Sequence, residues 1–179
     1  MKRLLLLSAL AVSSASLAQA QKPGPTPRDA GVAALRTVWQ SQSTFLLRAA
    51  EQMSDSDYAF RPASSVRTFG QIIGHVAGSQ NLICAAALGE PSKSEDDIEK
   101  SMTTKVQLVA ALRASSEYCR RAYAQSDASA ARSTMLFAEK QSRMFALALN
   151  ATHDGEHYGN VVTYFRIKGM IPPSSQPGP

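Results

Sequence analysis

At 179 residues the chain has the length of one domain, and 44% apolar with 18% charged residues is the composition of a soluble globular protein, not of a disordered or membrane-embedded one. The formal charge of +5 arises from 19 Lys and Arg against 14 Asp and Glu scattered along the chain, without the basic cluster that nucleic-acid binding requires. The two cysteines, Cys84 and Cys119, are too few for a disulfide scaffold, so a hydrophobic core must do the stabilising.

Lys2 and Arg3, the apolar run Leu4 to Val12, and Ala18-Gln19-Ala20 have the three parts of a secretory signal peptide. Residues 1–20 are therefore expected to be removed, leaving a mature chain that begins at Gln21 and works in the periplasm or outside the cell. The apolar run falls short of the roughly 20 residues needed to cross a bilayer, so no stable membrane insertion is expected. Loss of the two cations Lys2 and Arg3 lowers the formal charge from +5 to +3. Residues 21–29, with Pro23, Gly24, Pro25 and Pro27, read as a flexible linker.

The domain itself is expected over residues 30–171. From Ala30 to Met53, Leu35, Val38, Trp39, Phe45, Leu46 and Ala49 recur at three- and four-residue intervals and predict a first helix. Ser54-Asp55-Ser56-Asp57 ends it, and Tyr58 to Pro62 is expected to be extended because Pro62 disfavours helix at Arg61. A second helix is predicted from Thr68 to Leu88, stopped by Gly89 and Pro91. On it Thr68, Ile72, Ser79, Leu82, Ile83 and Ala86 fall within about 80° of His75, which places His75 on the buried stripe, with Cys84 about 180° away.

Glu90 to Met102 is a polar connection longer than the roughly two to eight residues that join antiparallel helices. A third helix follows from Thr104 to Ala124, with Leu108, Ala111, Leu112, Ser115, Cys119 and Ala122 on one face. If the second and third helices run parallel, the connection is a crossover and Cys84 and Cys119 stand at similar heights, where a disulfide is possible. Antiparallel helices leave two separate buried thiols, the commoner state of such a pair. Asp127 to Ser133 reads as a loop. A fourth helix is predicted from Met135 or Lys140 to Lys168, stopped by Gly169, and a flexible Pro-rich tail over residues 172–179. Without strand alternation or internal repeats, the sum is an all-α four-helix bundle.

The chemistry concentrates in His153-Asp154-Gly155-Glu156-His157 of the fourth helix. Imidazoles four apart on a helix differ by about 40° in azimuth and roughly 6 Å in height, so both can turn to one point. His153 shares its face with Ala146, Leu149, Asn150, His157, Asn160, Val161 and Tyr164. With His75, these are the three histidines of the chain, all on inward stripes. Buried imidazoles need partners for their lone pairs, and a divalent metal held by three neutral nitrogens is the arrangement of catalytic zinc sites. The candidate ligands are therefore His75, His153 and His157.

The same stretch spells His-x-x-Glu-His, the inverted zinc-peptidase pattern, which would make Glu156 a general base and require an acidic ligand downstream. No Asp or Glu follows His157, so the peptidase reading fails. Glu156 stays a candidate base near a metal, against the alternative of an exposed helix carboxylate. Asp154 is expected to accept hydrogen bonds behind the ligands or to lie at the surface. Asn160 and Tyr164 are pocket candidates.

Tyr58-Ala59-Phe60-Arg61-Pro62, the run from Val66 to His75, the run from His153 to Asn160, Tyr164-Phe165-Arg166 and Gly169-Met170-Ile171-Pro172-Pro173 resemble, in order and spacing, the DinB-like family of metalloenzymes (the DinB/YfiT type). The resemblance covers residues 30–173. It implies a bundle with up-down-down-up topology, in agreement with a long crossover between helices two and three, and a homodimer formed through an apolar helix face. It also implies a divalent metal, zinc or nickel, on His75, His153 and His157. Asn160 departs from the pattern, since many members carry Gln there. Known activities of the family use mycothiol or bacillithiol, cytoplasmic thiols that an export signal would put out of reach. The expected function is an exported metal-dependent enzyme, a hydrolase or thiol-type transferase acting on a small molecule; the alternatives are a non-catalytic metal-binding or dimeric interaction module, and a metal-free helical scaffold.

Overall fold

The computed structural model describes residues 29–177; the expected signal peptide over 1–20, the linker up to residue 28 and the last two residues lie outside the described residues. The elements in order are α1 (Ala30–Gln52), α2 (Phe69–Leu88), α3 (Asp97–Ser101), α4 (Lys105–Ala122), α5 (Asp127–Ala130), β1 (Ser133–Leu136), β2 (Glu139–Ser142) and α6 (Arg143–Ile167). Among the described residues no helix is long and apolar enough to cross a membrane.

Local chemistry sets the helix ends. Thr68 accepts from the Gln71 amide while the Gln71 side chain accepts from that of Thr68, and Thr104 and Gln107 repeat this reciprocal box at the start of α4. Gly89 closes α2 in the left-handed region at φ 71°, a conformation that costs glycine nothing. The start of α1 is capped from a distance: the Asp127 carboxylate of α5 accepts from the amides of Gly31 and Val32 at 2.9 and 2.7 Å. Asp29 in turn accepts from the Asp127 amide at 2.9 Å.

Side-chain contacts fix the directions of the four long helices. Gly70 and Leu108 meet near the starts of α2 and α4, and Cys84 and Cys119 meet near their ends, so these two helices run parallel. Along α1, Trp39 stacks on Tyr123 and Ser43 bonds to Ser116, while Glu51 pairs with Arg113, which makes α1 antiparallel to α4. Phe69 against Phe165 and Gln80 against Asp154 make α6 antiparallel to α2. The bundle is up-down-down-up, with residues 90–104 as the crossover.

Parallel α2 and α4 satisfy the condition for a disulfide, and Cys84 and Cys119 form one, with Cα atoms 5.3 Å apart. Two separate thiols, the commoner expectation for the pair, are thereby corrected. The last helix begins later than expected: not at Met135 or Lys140 but at Arg143, where Ser142 accepts from the Phe145 amide. The residues before it form a hairpin in the register Ser133↔Ser142 to Leu136↔Glu139. Its strands are too short for alternation to show, and its turn residues, Phe137 and Ala138 at φ 51° and 63°, are not those that announce such turns. Ser56–Ala59 is a 3-10 turn, so the extended backbone expected from Tyr58 begins only at Phe60. The tail expected to be flexible from Pro172 is instead packed as far as Gln176. There Pro173 is buried, the Ser174 amide donates to the Tyr158 hydroxyl, and Gln176 accepts from Arg48 and Gln52.

The core has two apolar halves. One gathers Leu46, Phe69, Ile73, Leu112 and Phe165; the other gathers Trp39, Ile83, Tyr123 and Leu147. A buried polar layer separates them on all four long helices. Gln80 Oε1 accepts from Ser115 at 2.6 Å and Ser116 at 3.3 Å, Ser43 donates to Ser116 at 2.9 Å, and Gln80 Nε2 donates to Asp154 at 2.8 Å. Such a layer is tolerated because its members largely satisfy one another, Asp154 Oδ1 being the exception.

Candidate metal centre

The three imidazoles meet beside that layer. His75 comes from the middle of α2, and His153 and His157 from successive turns of α6, the antiparallel neighbour. Ring centroids lie 5.2 Å apart for His75 and His153, 4.7 Å for His75 and His157, and 4.4 Å for His153 and His157. One ring nitrogen from each lies within 4.8 Å of the other two, and His153 Nε2 is 3.1 Å from His157 Nε2. His75 and His157 are buried and His153 is half-buried.

Burial is the main reason all three rings are held below their ordinary pKa; His157 is pushed down to about 3, with the neighbouring His153 and His75 and the Arg67 guanidinium adding to the effect. The rings are thus neutral at pH 7, the form that ligates. Among the described residues His153 Nδ1 is buried without a hydrogen-bond partner. Converging neutral nitrogens in a buried setting suit one divalent ion with imidazole ligands, so the residues present fit the metal their spacing implied.

Two of the three rings, His75 and His157, have side-chain neighbours at Nδ1. His75 Nδ1 faces Arg67 Nη2 at 3.4 Å, Glu99 Oε2 at 3.6 Å and Glu95 Oε1 at 3.9 Å. The Asn160 amide lies 3.4 Å from His157 Nδ1. Asn160 is exposed and, with His157, Arg67, Glu99 and Tyr164, lines an open cleft of about 670 Å³. Tyr164 is buried and donates its hydroxyl to the Arg67 carbonyl at 2.5 Å, so it fastens the segment before α2 to the cleft wall. Both pocket candidates therefore stand beside the cluster. Glu156 is exposed and does not line the cleft; the carboxylate that does is Glu99. Asp154 is fully buried and faces Gln80, away from the surface.

Arg67, Glu95 and Glu99 were not singled out from the sequence. The latter two sit in an acidic stretch that reads as a solvated connection, and only the docking of the crossover on α2 brings them to His75. A signal existed in Gly74 and Gly78, spaced four apart and flanking His75 on one helix.

Residues 35–161 match the family model of the DinB superfamily. Among solved structures, a DinB-like protein from Bacillus cereus ATCC 10987 superposes with a TM-score of 0.66 at 14% identity, covering 79% of this chain and 95% of that one. The DinB-like protein YjoA from Bacillus subtilis gives 0.63 at 19% identity, covering 81% and 99%. YfiT from Bacillus subtilis, described as a probable metal-dependent hydrolase with an unusual four-helix bundle topology, gives 0.62 at 16% identity, covering 83% and 94%. No curated protein matches the chain.

Proposed function

The chain belongs to the DinB superfamily, and from that membership and its imidazole cluster we propose that it is an exported, divalent-metal-dependent hydrolase of small molecules with His75, His153 and His157 as the metal ligands. The observation that carries this reading is the convergence of three imidazole nitrogens within 4.8 Å of one another. Zinc or nickel is the ion assigned, since imidazole suits both. Such an ion supplies Lewis acidity toward a substrate oxygen.

The chain's own residues supply the rest. The cleft beside His157 gives a small molecule access to one side of the cluster, with Asn160 and Arg67 offering hydrogen-bond donors at its wall. Glu156, exposed and outside the cleft, carries no role in this reading. The disulfide between the buried Cys84 and Cys119 supports an oxidising compartment and hence export. That compartment weighs against a cytoplasmic thiol as cosubstrate, and the description of YfiT points the same way.

Metal analysis of the purified protein comprising residues 21–179 tests the site. We expect about one zinc or nickel ion per chain, lost in His153→Ala. Absence of bound metal, or occupancy unchanged in that variant, defeats the reading. Hydrolysis of ester and amide probes, abolished by a chelator and restored by added zinc, separates an enzyme from a metal-binding module, which would bind the ion and turn over none of them.

A further inference from the structure

Two glycines flanking His75 seat the crossover directly on α2. A Cβ at Gly74 would stand 2.9 Å from the Cα of Glu99, and one at Gly78 would stand 1.8 Å from the carbonyl oxygen of Glu95. Neither position admits a side chain while the crossover lies where it does. This close seating delivers two carboxylates to His75 Nδ1, and each is held from behind. Ser79 donates to Glu95 Oε1 at 2.6 Å, and Arg67 Nε lies 3.0 and 3.2 Å from the two oxygens of Glu99. Neither carboxylate joins the group of converging ligand atoms, which comprises the three imidazoles.

A neutral imidazole keeps one proton, on Nδ1 or on Nε2, and the nitrogen that keeps it cannot ligate. A carboxylate at Nδ1 favours the proton there and leaves the Nε2 lone pair for a metal. A guanidinium at Nδ1 favours the opposite tautomer, and Arg67 Nη2 is 3.4 Å from that atom. Resting on the metal-site reading above, we propose that Glu99 is a positioning residue for His75. It draws the ring proton to Nδ1 and, by pairing with Arg67 Nε, offsets the charge of the guanidinium whose Nη2 stands at that same nitrogen. The crossover is therefore part of the metal site without contributing a ligand. Carboxylate partners of this kind change metal affinity by about 10–100-fold.

The test uses the metal-free protein with 15N-labelled histidines, whose ring shifts separate the two tautomers; His75→Ala assigns the signal. We expect His75 to be chiefly Nδ1–H in the wild type and to move toward Nε2–H in Glu99→Ala, with zinc affinity in chelator competition about tenfold weaker or more. The double variant Arg67→Ala/Glu99→Ala should recover both, because Glu95 is then the charged group left at Nδ1, and Glu99→Asp should stay near the wild type. Should Glu99→Ala fail to fold, Glu99→Gln, which removes the charge and keeps the shape, carries the same comparison. An Nε2–H ring in the wild type, or tautomer and affinity both unchanged on loss of the charge, overturns the proposal. A wild type that binds no zinc defeats the metal site instead, while the tautomer of the metal-free ring still decides the role of Glu99.

Discussion

Gln80 Nε2 donates to Asp154 Oδ2 at 2.8 Å across the centre of the bundle, and among the described residues no other hydrogen bond of normal geometry reaches that carboxyl group. Burial pushes Asp154 up to about 7, against the Gln80 amide and the Trp39 indole, which favour the anion. The indole contact falls short of a hydrogen bond of normal geometry. With a folded pKa above the unfolded value of about 3.9, the carboxyl contributes stability that is complete below that value and lost as the pH rises toward 7. Asp154→Asn should therefore gain on the wild type as the pH is raised from about 4 to 7. Urea denaturation of both proteins across that range measures the difference, and a difference independent of pH would refute the assignment.

Gly78 and Gly159 are both helical glycines with opposite surroundings. A Cβ at Gly78 collides with backbone, which cannot swing aside, whereas nothing lies within 4 Å of one at Gly159. Gly78→Ala should cost about 1–3 kcal/mol through overpacking and weaken zinc binding by displacing the crossover. Gly159→Ala should stabilise by about 0.5–1 kcal/mol through helix propensity, with zinc affinity intact. Thermal melts and zinc titrations of the two variants decide the matter; equal effects would show that the crossover is not seated as described.

What the sequence disclosed follows from the range of the forces involved. The four long helices were legible because capping threonines, apolar periodicity and terminal glycines act within a few residues. His75, His153 and His157 were legible as a set because each lies on an inward stripe. Arg67, Glu95 and Glu99 were not, because their position depends on a crossover folding back onto Gly74 and Gly78, a tertiary event of which the two glycines mark the seat and not the occupant. The Asp127 cap on α1 escaped for the same reason, its donors lying 95 and 96 residues away. The hairpin over Ser133–Ser142 escaped because its four-residue strands offer too little alternation, and Phe137-Ala138 is an atypical turn.

Cys84 and Cys119 are 35 residues apart in sequence and join two parallel helices at the end remote from Gly70 and Leu108. Closing a loop of that length restricts the unfolded chain by about 3–4 kcal/mol in the chain-entropy estimate. Cys84→Ala/Cys119→Ala should lower the unfolding free energy by an amount of that order while leaving zinc affinity unchanged, since the bond lies in the apolar half away from the three imidazoles. Chemical denaturation gives the first quantity and chelator competition the second. Loss of zinc affinity in a folded variant would mean that the bond also sets the spacing of the site.

The imidazoles impose the opposite pH dependence to Asp154. His75, His153 and His157 all have folded pKa values below the unfolded value of about 6.5, His157 at about 3, with burial the largest cause for each. As the pH falls below about 6.5 the unfolded chain takes up protons that the folded cluster refuses. The stability they contribute is therefore complete above that pH and lost progressively toward pH 3. Three rings act against one carboxyl, so the metal-free protein should lose stability on acidification from pH 6.5 to 5, and His157→Asn should show a shallower loss. Zinc needs the same neutral rings, so the rise in melting temperature that it produces at pH 7.5 should shrink over the same interval. Thermal unfolding with and without zinc at pH 7.5, 6 and 5 checks both effects. A zinc-induced rise that persists undiminished at pH 5, or survives His153→Ala at pH 7.5, would place the ion elsewhere than on these three histidines.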